Sequence, residues 1–266
     1  MDGGAVKGPQ AAMAGLGLTA APVEARTIVY LLTHSLTRLP ANLLLCNGEL
    51  SGMQGPVVVV PSLSWLLEQR LRPPRGTGRQ AWMLPPGPED GERGALGLLA
   101  DNLPEMLPGF AVGSTFPALQ RPLEIAVLAA HGGIDESGLF FRAVADERAQ
   151  RYSIARVAAA LAGCDLVVLC VCSGGRSDPA PFSARTIGLP SALLAAGCRT
   201  VIASPWPLDA LVVLRWIPHF FKAWDAQTDV AVAVHRANLA LMRSHCHPRD
   251  FLAMHVFGEP ALRPRA

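Results

Sequence analysis

Asp165-Leu166-Val167-Val168-Leu169-Cys170-Val171-Cys172-Ser173-Gly174-Gly175 is the stretch whose reading decides the fold. Residues 166–172 are apolar without a break, and most are branched. Unbroken apolar runs of strand length belong to parallel sheets, because helices cover both faces of such sheets. The run ends in a cysteine followed by Ser-Gly-Gly. A second run, Ile125-Ala126-Val127-Leu128-Ala129-Ala130, ends in the same manner, in His131-Gly132-Gly133. Ligands of open α/β sheets bind outside the carboxyl ends of the strands. A cysteine and a histidine at two such ends are therefore candidates for one site.

Working outward, the pattern alternates. Ile154, Val157, Ala158 and Leu161 predict a helix over 153–162 between the two strands. A polar loop over Ser173–Ile187 leads to a helix over 189–197, which Gly197 stops. Thr200-Val201-Ile202-Ala203 is the next strand, two amphipathic helices follow over 208–225 and 229–243, and the apolar tail 250–257 adds a last strand. Upstream lie a helix over 95–106, a short segment around Ala111, a Gly-rich acidic loop after His131 (Asp135, Glu136) and a hairpin over 138–149. Val57–Val60 reads as a strand that Pro61 ends, and Ser62 caps a helix reaching Leu71. Ile28, Leu31, Leu32, Leu36, Leu39 and Leu43 stand at near-helical spacing and predict a helix over 23–45, ended around Pro40. Residues 73–94, rich in Pro, Gly and charge, read as a surface loop. Strand alternating with helix implies βαβ crossovers and a mostly parallel sheet covered on both faces, an α/β fold. The expected organisation is a flexible Gly/Ala/Pro leader over 1–22 and one domain over 23–266, with no internal repeat.

Composition narrows the function. Half of the 266 residues are hydrophobic, and the net charge is +2, too weak to argue for nucleic acid or a membrane surface. No apolar run is long enough to span a bilayer, and the N-terminus lacks the basic start and apolar block of a secretion signal. Six cysteines in a chain of this length do not form a disulfide scaffold. Cys170 and Cys172 alternate with Val171 inside an apolar run, which suits a reduced, cytoplasmic protein.

Cys46, Cys164 and Cys198 read as small core hydrophobes. Cys172 differs, because glycines just behind it let a ligand approach the backbone. A nucleophilic thiol needs that access and a base, and His131 supplies the base. Acyl transfer also needs donors for an oxyanion, and the backbone N–H groups of Gly132 and Cys172 are placed to provide two. A metal site made from Cys170, Cys172 and His131 lacks a second close pair of ligands. Ser173 is outside any Gly-x-Ser-x-Gly elbow, and Ser173-Gly174-Gly175 lacks the Lys-Ser/Thr of a phosphate loop. No metal or cofactor is expected. Ser204-Pro205-Trp206-Pro207-Leu208-Asp209 reads either as a turn opening a helix or as the wall of a substrate groove. His245, Cys246 and His247 read as a solvated turn before Pro248.

Taken together these segments resemble the CHAT-domain peptidases, relatives of caspases and separases. The matching pieces are Val127–Gly132, Asp165–Cys172, Gly188–Gly197, Val201–Asp209, His247-Pro248, Phe257-Gly258-Glu259-Pro260 and Val58–Trp65, so the resemblance extends over about residues 25–262. It implies a caspase-like αβα sandwich and hydrolysis of a peptide bond in a specific protein partner by Cys172 and His131. Gly132 and Cys172 would supply the oxyanion hole, and Ser173, Gly174, Ser204, Trp206 and Asp209 would contact substrate. Asp209 matches an acidic position of separases that receives a basic side chain, although the same aspartate can cap a helix. The resemblance further implies a role in bacterial defence or regulated cell death under a sensor or activator. The alternative is a catalytically silent CHAT-like module that signals by binding. Two departures stand out: the family's Cys-Glu-Thr-Gly is Cys172-Ser173-Gly174-Gly175 here, and Pro205 and Pro207 withhold two backbone donors from the groove edge. No tetratricopeptide sensor is read in the chain. The sensor is then either a separate polypeptide or part of a longer protein.

Overall fold

The computed structural model describes residues 27–31, 39–73, 76–84, 95–116, 121–135, 138–145, 148–179, 186–244 and 247–265. The first half of the chain supplies β1 (Ile28–Tyr30), β2 (Leu45–Cys46), β3 (Glu49–Leu50), α1 (Ser51–Gln54), β4 (Val57–Val59), α2 (Leu63–Leu71), β5 (Arg79–Met83), α3 (Ala95–Met106), β6 (Ala111–Gly113) and β7 (Ile125–Asp135). Next come β8 (Gly138–Ala145), β9 (Arg148–Ser153), α4 (Ile154–Ala160), β10 (Leu166–Val171), β11 (Ser177–Pro179) and β12 (Thr186–Gly188). The last part holds α5 (Leu189–Ala195), β13 (Thr200–Ala203), α6 (Ala210–Asp225), α7 (Val230–Leu241), α8 (Pro248–Phe251) and β14 (His255–Gly258).

The main sheet runs β1-β4-β14-β13-β10-β7-β5-β6. From β13 to β6 every pairing is parallel. Direction reverses once, where β14 pairs antiparallel with β13; β14, β4 and β1 are then parallel among themselves. The fold is thus a mostly parallel sheet with helices on both faces, as expected. The faces are set by side-chain parity, since successive residues of a strand point to opposite sides. Leu166, Val168 and Cys170 of β10 pack into one core with Leu99, Leu103, Trp216, Phe220 and Ala233 of α3, α6 and α7. Val167, Leu169 and Val171 pack into the other, with Val157, Ala160, Leu189 and Leu193 of α4 and α5.

Local chemistry fixes the element ends. Ser62 Oγ accepts from Trp65 N at 3.0 Å and caps α2, and Ser153 Oγ accepts from Arg156 N at 3.3 Å and caps α4. On α6 the Trp216 ring stacks on Phe220 at 4.8 Å, and its Nε1 donates to Asn238 Oδ1 on α7 at 2.8 Å. Asn238 Nδ2 donates in turn to the Met254 carbonyl at 2.9 Å. Two helices and the segment entering β14 are locked by that relay, each polar group in it satisfied away from water.

Four expectations are corrected. Ile28–Tyr30 is a strand rather than part of a helix, because it finds a parallel partner in Val57–Val59 and its branched residues suit a strand; residues 32–38 lie outside the described residues. The loop expected over 73–94 contains β5, which fills the place between β7 and β6; Trp82 in it is 1% exposed. Its mixed polar composition hid a strand whose Ala81, Trp82 and Met83 are buried. The Gly-rich loop expected after His131 is instead a continuation of β7, since β8 pairs with it from His131 to Asp135. The polar loop over 173–187 carries a small antiparallel ribbon of β11 and β12. The leader over 1–22, residues 85–94 and the pair His245-Cys246 lie outside the described residues.

Candidate active site

Strand register sets the ends of the cysteine and histidine strands side by side. Cys170 pairs with Ala129 and Val171 with Ala130, and Cys172 and His131 are the residues that immediately follow these last pairs. Ile125, Val127 and Ala129 of β7 share the core of Leu166, Val168 and Cys170, and along the sequence His131 and Cys172 are the next alternate positions of those two series. Both are half-buried at the carboxyl ends of the parallel strands. The Cys172 Sγ lies 3.9 Å from the Leu208 carbonyl, just ahead of α6.

Depth separates this cysteine from the others. Cys46, Cys164, Cys170 and Cys198 are buried, while Cys172 is partly open to solvent. Burial pushes the Cys164 thiol up to about 11 and the Cys170 thiol up to about 12, and raises that of Cys198 as well. The thiolate is the nucleophile, so these groups are inert. Iodoacetamide added to the native protein is expected to alkylate Cys172 well before Cys46, Cys164, Cys170 or Cys198, read by peptide mass spectrometry. Labelling of Cys170 at an equal rate would contradict the burial pattern.

The turn after Cys172 is stitched to the end of β13. Ser173 takes a left-handed backbone (φ 57°), and its N–H donates to the Trp206 carbonyl at 3.1 Å. The Gly174 N–H donates to the Val171 carbonyl at 3.0 Å and the Gly175 N–H to the Ser204 carbonyl at 2.7 Å. Ser204 is fully buried, and its hydroxyl donates to the Trp206 carbonyl at 3.0 Å. Its side chain therefore holds the turn and stays away from the groove surface. Two glycines are required sterically. A Cβ on Gly132 would stand 2.1 Å from the Cys172 carbonyl oxygen, and one on Gly175 would stand 2.8 Å from the Ser204 carbonyl carbon. Only glycine at 132 lets the histidine strand close on the cysteine backbone.

Trp206 is half-buried and held in place. Its indole Nε1 donates to the Arg249 carbonyl at 3.1 Å, and the ring meets the His255 ring edge-on at 5.4 Å. His255 is enclosed, and burial drives its pKa down to about 3, so the imidazole is neutral. Asp209 is exposed, and its Oδ1 accepts from Leu211 N at 2.8 Å, capping α6. Sequence reasoning missed Leu208, Arg249 and His255. The first two act through backbone carbonyls, which every residue carries. His255 lies on a distant strand that only tertiary pairing brings beneath Trp206.

The CHAT domain family model matches residues 10–257. The chain belongs to the CHAT domain family. No curated protein matches it in sequence. Among solved structures, this CHAT domain is similar to the Saccharomyces cerevisiae separase–securin complex, with TM-score 0.53 and 15% identity, over 80% of this chain and 14% of the matched one. It is similar also to the Arg specific cysteine proteinase gingipain R, with TM-score 0.52 and 12% identity, over 84% of this chain and 58% of that one. At these identities the likeness shows the fold, the caspase-like αβα arrangement expected from the motifs. The CHAT domain spans only a small part of the first neighbour and somewhat over half of the second. Among the described residues, no helix is long and apolar enough to cross a membrane.

Proposed function

We propose that this CHAT domain is a cysteine endopeptidase that cuts a specific protein partner through a Cys172–His131 dyad. The observation that carries this reading is the one solvent-reaching thiol among the described cysteines, which follows the end of a strand whose parallel neighbour runs into a histidine. His131 takes the Cys172 proton, and the thiolate attacks the scissile carbonyl. The N–H groups of Gly132 and Cys172 donate to the oxyanion as it forms. His131 returns its proton to the leaving amine, leaving a thioester on Cys172. Water, deprotonated by His131, then attacks the thioester; the thiol is restored and the new carboxyl product leaves.

Ser173, Gly174 and the Ser204–Asp209 segment border the groove, with the pinned Trp206 indole as its wall. Asp209 receives a basic side chain of the substrate. Its carboxylate is exposed, and the name of gingipain R, an Arg specific proteinase, supports that preference. Asp209 has two duties that substitution separates. Asp209→Ala removes the helix cap and is expected to cost about 1 kcal/mol, read by thermal or urea unfolding. Asp209→Asn keeps a capping oxygen and removes the charge. It is expected to leave stability within about 0.5 kcal/mol and to lower kcat/KM for Arg and Lys peptides about tenfold, without affecting peptides uncharged at that position. An equal effect on both peptide classes would remove Asp209 from recognition.

We further propose a cytoplasmic role in bacterial defence or regulated cell death, under a sensor or activator protein. Securin in the separase structure supports a protein partner.

A second reading, a silent binding module, has its own observation. The Ser204 and Trp206 carbonyls already accept from the nucleophile turn, and Pro205 and Pro207 lack donors. Few backbone groups remain there for pairing with an extended substrate. A peptidyl electrophile decides between the two. Labelling at Cys172 that disappears in His131→Ala establishes the enzyme. Absence of labelling with the natural partner present establishes the module.

A further inference from the structure

At the opposite end of the sheet, where β13 begins, lies a cavity of about 430 Å³ lined by Arg70, Leu71, Arg72, Pro73, Arg199, Ala261, Leu262 and Arg263. Four arginines line one space. Arg199 immediately precedes β13 and Ser204 immediately follows it, so about 16 Å of strand, at roughly 3.3 Å per residue, separates this cavity from the nucleophile turn. It is a different place from the candidate active site.

Its polar atoms are incompletely matched. Arg199 is partly buried, and its hydrogen bond is to the Gln69 carbonyl, at 3.2 Å from Nη2. Its Nε is buried with no partner, as are Gln69 Oε1 and Glu259 Oε2 beside it. Among the described residues Arg199 forms no ion pair. The other three arginines are each steadied by one carboxylate: Arg70 by Glu259 at 3.5 Å, Arg72 by Glu68 at 3.8 Å and Arg263 by Asp229 at 2.5 Å. A guanidinium has five donors and one carboxylate engages at most two of them, so each arginine retains donors in a fixed direction. An unpaired, partly buried cation is costly unless an anion meets it.

We propose that this cavity binds a phosphorylated small molecule, its phosphate groups on Arg199 and the surrounding arginines and its organic body on Leu71, Pro73 and Leu262. Phosphate fits better than carboxylate. It brings three acceptor oxygens and close to two charges, matching several guanidinium forks at once. The volume is in the range of small-molecule sites and far exceeds a single ion. Leu71, 86% exposed on α2, gives the apolar wall that a bare anion would not need.

The test uses the full chain and tripolyphosphate as probe, titrated calorimetrically at constant ionic strength, with citrate as the carboxylate control. Saturable one-to-one binding is expected for tripolyphosphate. Affinity should fall at least tenfold in Arg199→Gln and in Arg72→Gln and should be unchanged in Cys172→Ala. Arg72 is half-exposed, so its variant tests the site even if Arg199→Gln fails to fold. Absence of saturable binding, affinity undiminished in Arg72→Gln, or citrate binding as tightly as tripolyphosphate would each overturn the assignment.

Discussion

Cys172→Ala is expected to reduce peptide-bond cleavage by about 10⁴-fold or more while leaving the thermal midpoint nearly unchanged. Both halves follow from where the thiol stands. The Sγ is partly open to solvent and has one long contact, to the Leu208 carbonyl at 3.9 Å. Removing it leaves almost no cavity and strands no donor. The turn behind it is held by backbone hydrogen bonds from Ser173, Gly174 and Gly175, which alanine at 172 does not touch. Cys170→Ala is the matched control. Two residues away on the same face, its sulfur is buried in the core, so this change should cost about 1 kcal/mol of stability and spare cleavage. Cleavage is measured on a peptide library by mass spectrometry, and stability by thermal unfolding. Cleavage retained by Cys172→Ala would end the dyad assignment.

Gly132→Ala should produce the second large effect, and it should do so without altering any reactive group. The added methyl would lie 2.1 Å from the Cys172 carbonyl oxygen and 2.7 Å from Val171 Cγ1. The nearer atom is backbone, which no rotamer change can move aside. Either β7 or the Cys172 turn must shift. Overpacking of this kind costs about 1–3 kcal/mol. The catalytic consequence should be larger, because a displacement of about 1 Å between reacting groups can cost about 100-fold in rate. The expected outcome is a folded variant with a modestly lowered midpoint, whose Cys172 is labelled by a peptidyl electrophile about 100-fold more slowly. Labelling within a few-fold of the unaltered protein would show that the close approach of the two strands is not needed for reactivity.

What the sequence disclosed follows the physics of each segment. The strands of Cys172 and His131 were legible because they are buried on both faces and so consist of unbroken apolar residues. Helix α2 was legible from its serine cap, α4 from the spacing of Ile154, Val157, Ala158 and Leu161, and α5 from the Gly197 stop; the Ser153 cap of α4 was not read. Strand β5 was not, because Arg79 and Gln80 open it and Pro/Gly-rich segments flank it; its place in the sheet is fixed by β7 and β6. The continuation of β7 past His131 was hidden by two glycines that read as a loop. One of them, Gly132, is a glycine because the Cys172 backbone passes so close. At the candidate site the cysteine and histidine were legible as residue types at strand ends. The support beneath Trp206 was not, because it is made by the Arg249 carbonyl and by the buried ring of His255.

The reversal between β13 and β14 constrains the order of assembly. β14 inserts between β13 and β4, and it pairs Val256 with Val58. Within the sheet, two earlier-made strands are therefore joined only by a segment synthesised after both. During translation the sheet remains split until residues 255–258 have left the ribosome, and the ring that backs Trp206 arrives with them. Pairings so distant along the chain close slowly. The polypeptide thus carries its own delay: the cysteine and histidine are made first, and the wall beside them is completed afterwards.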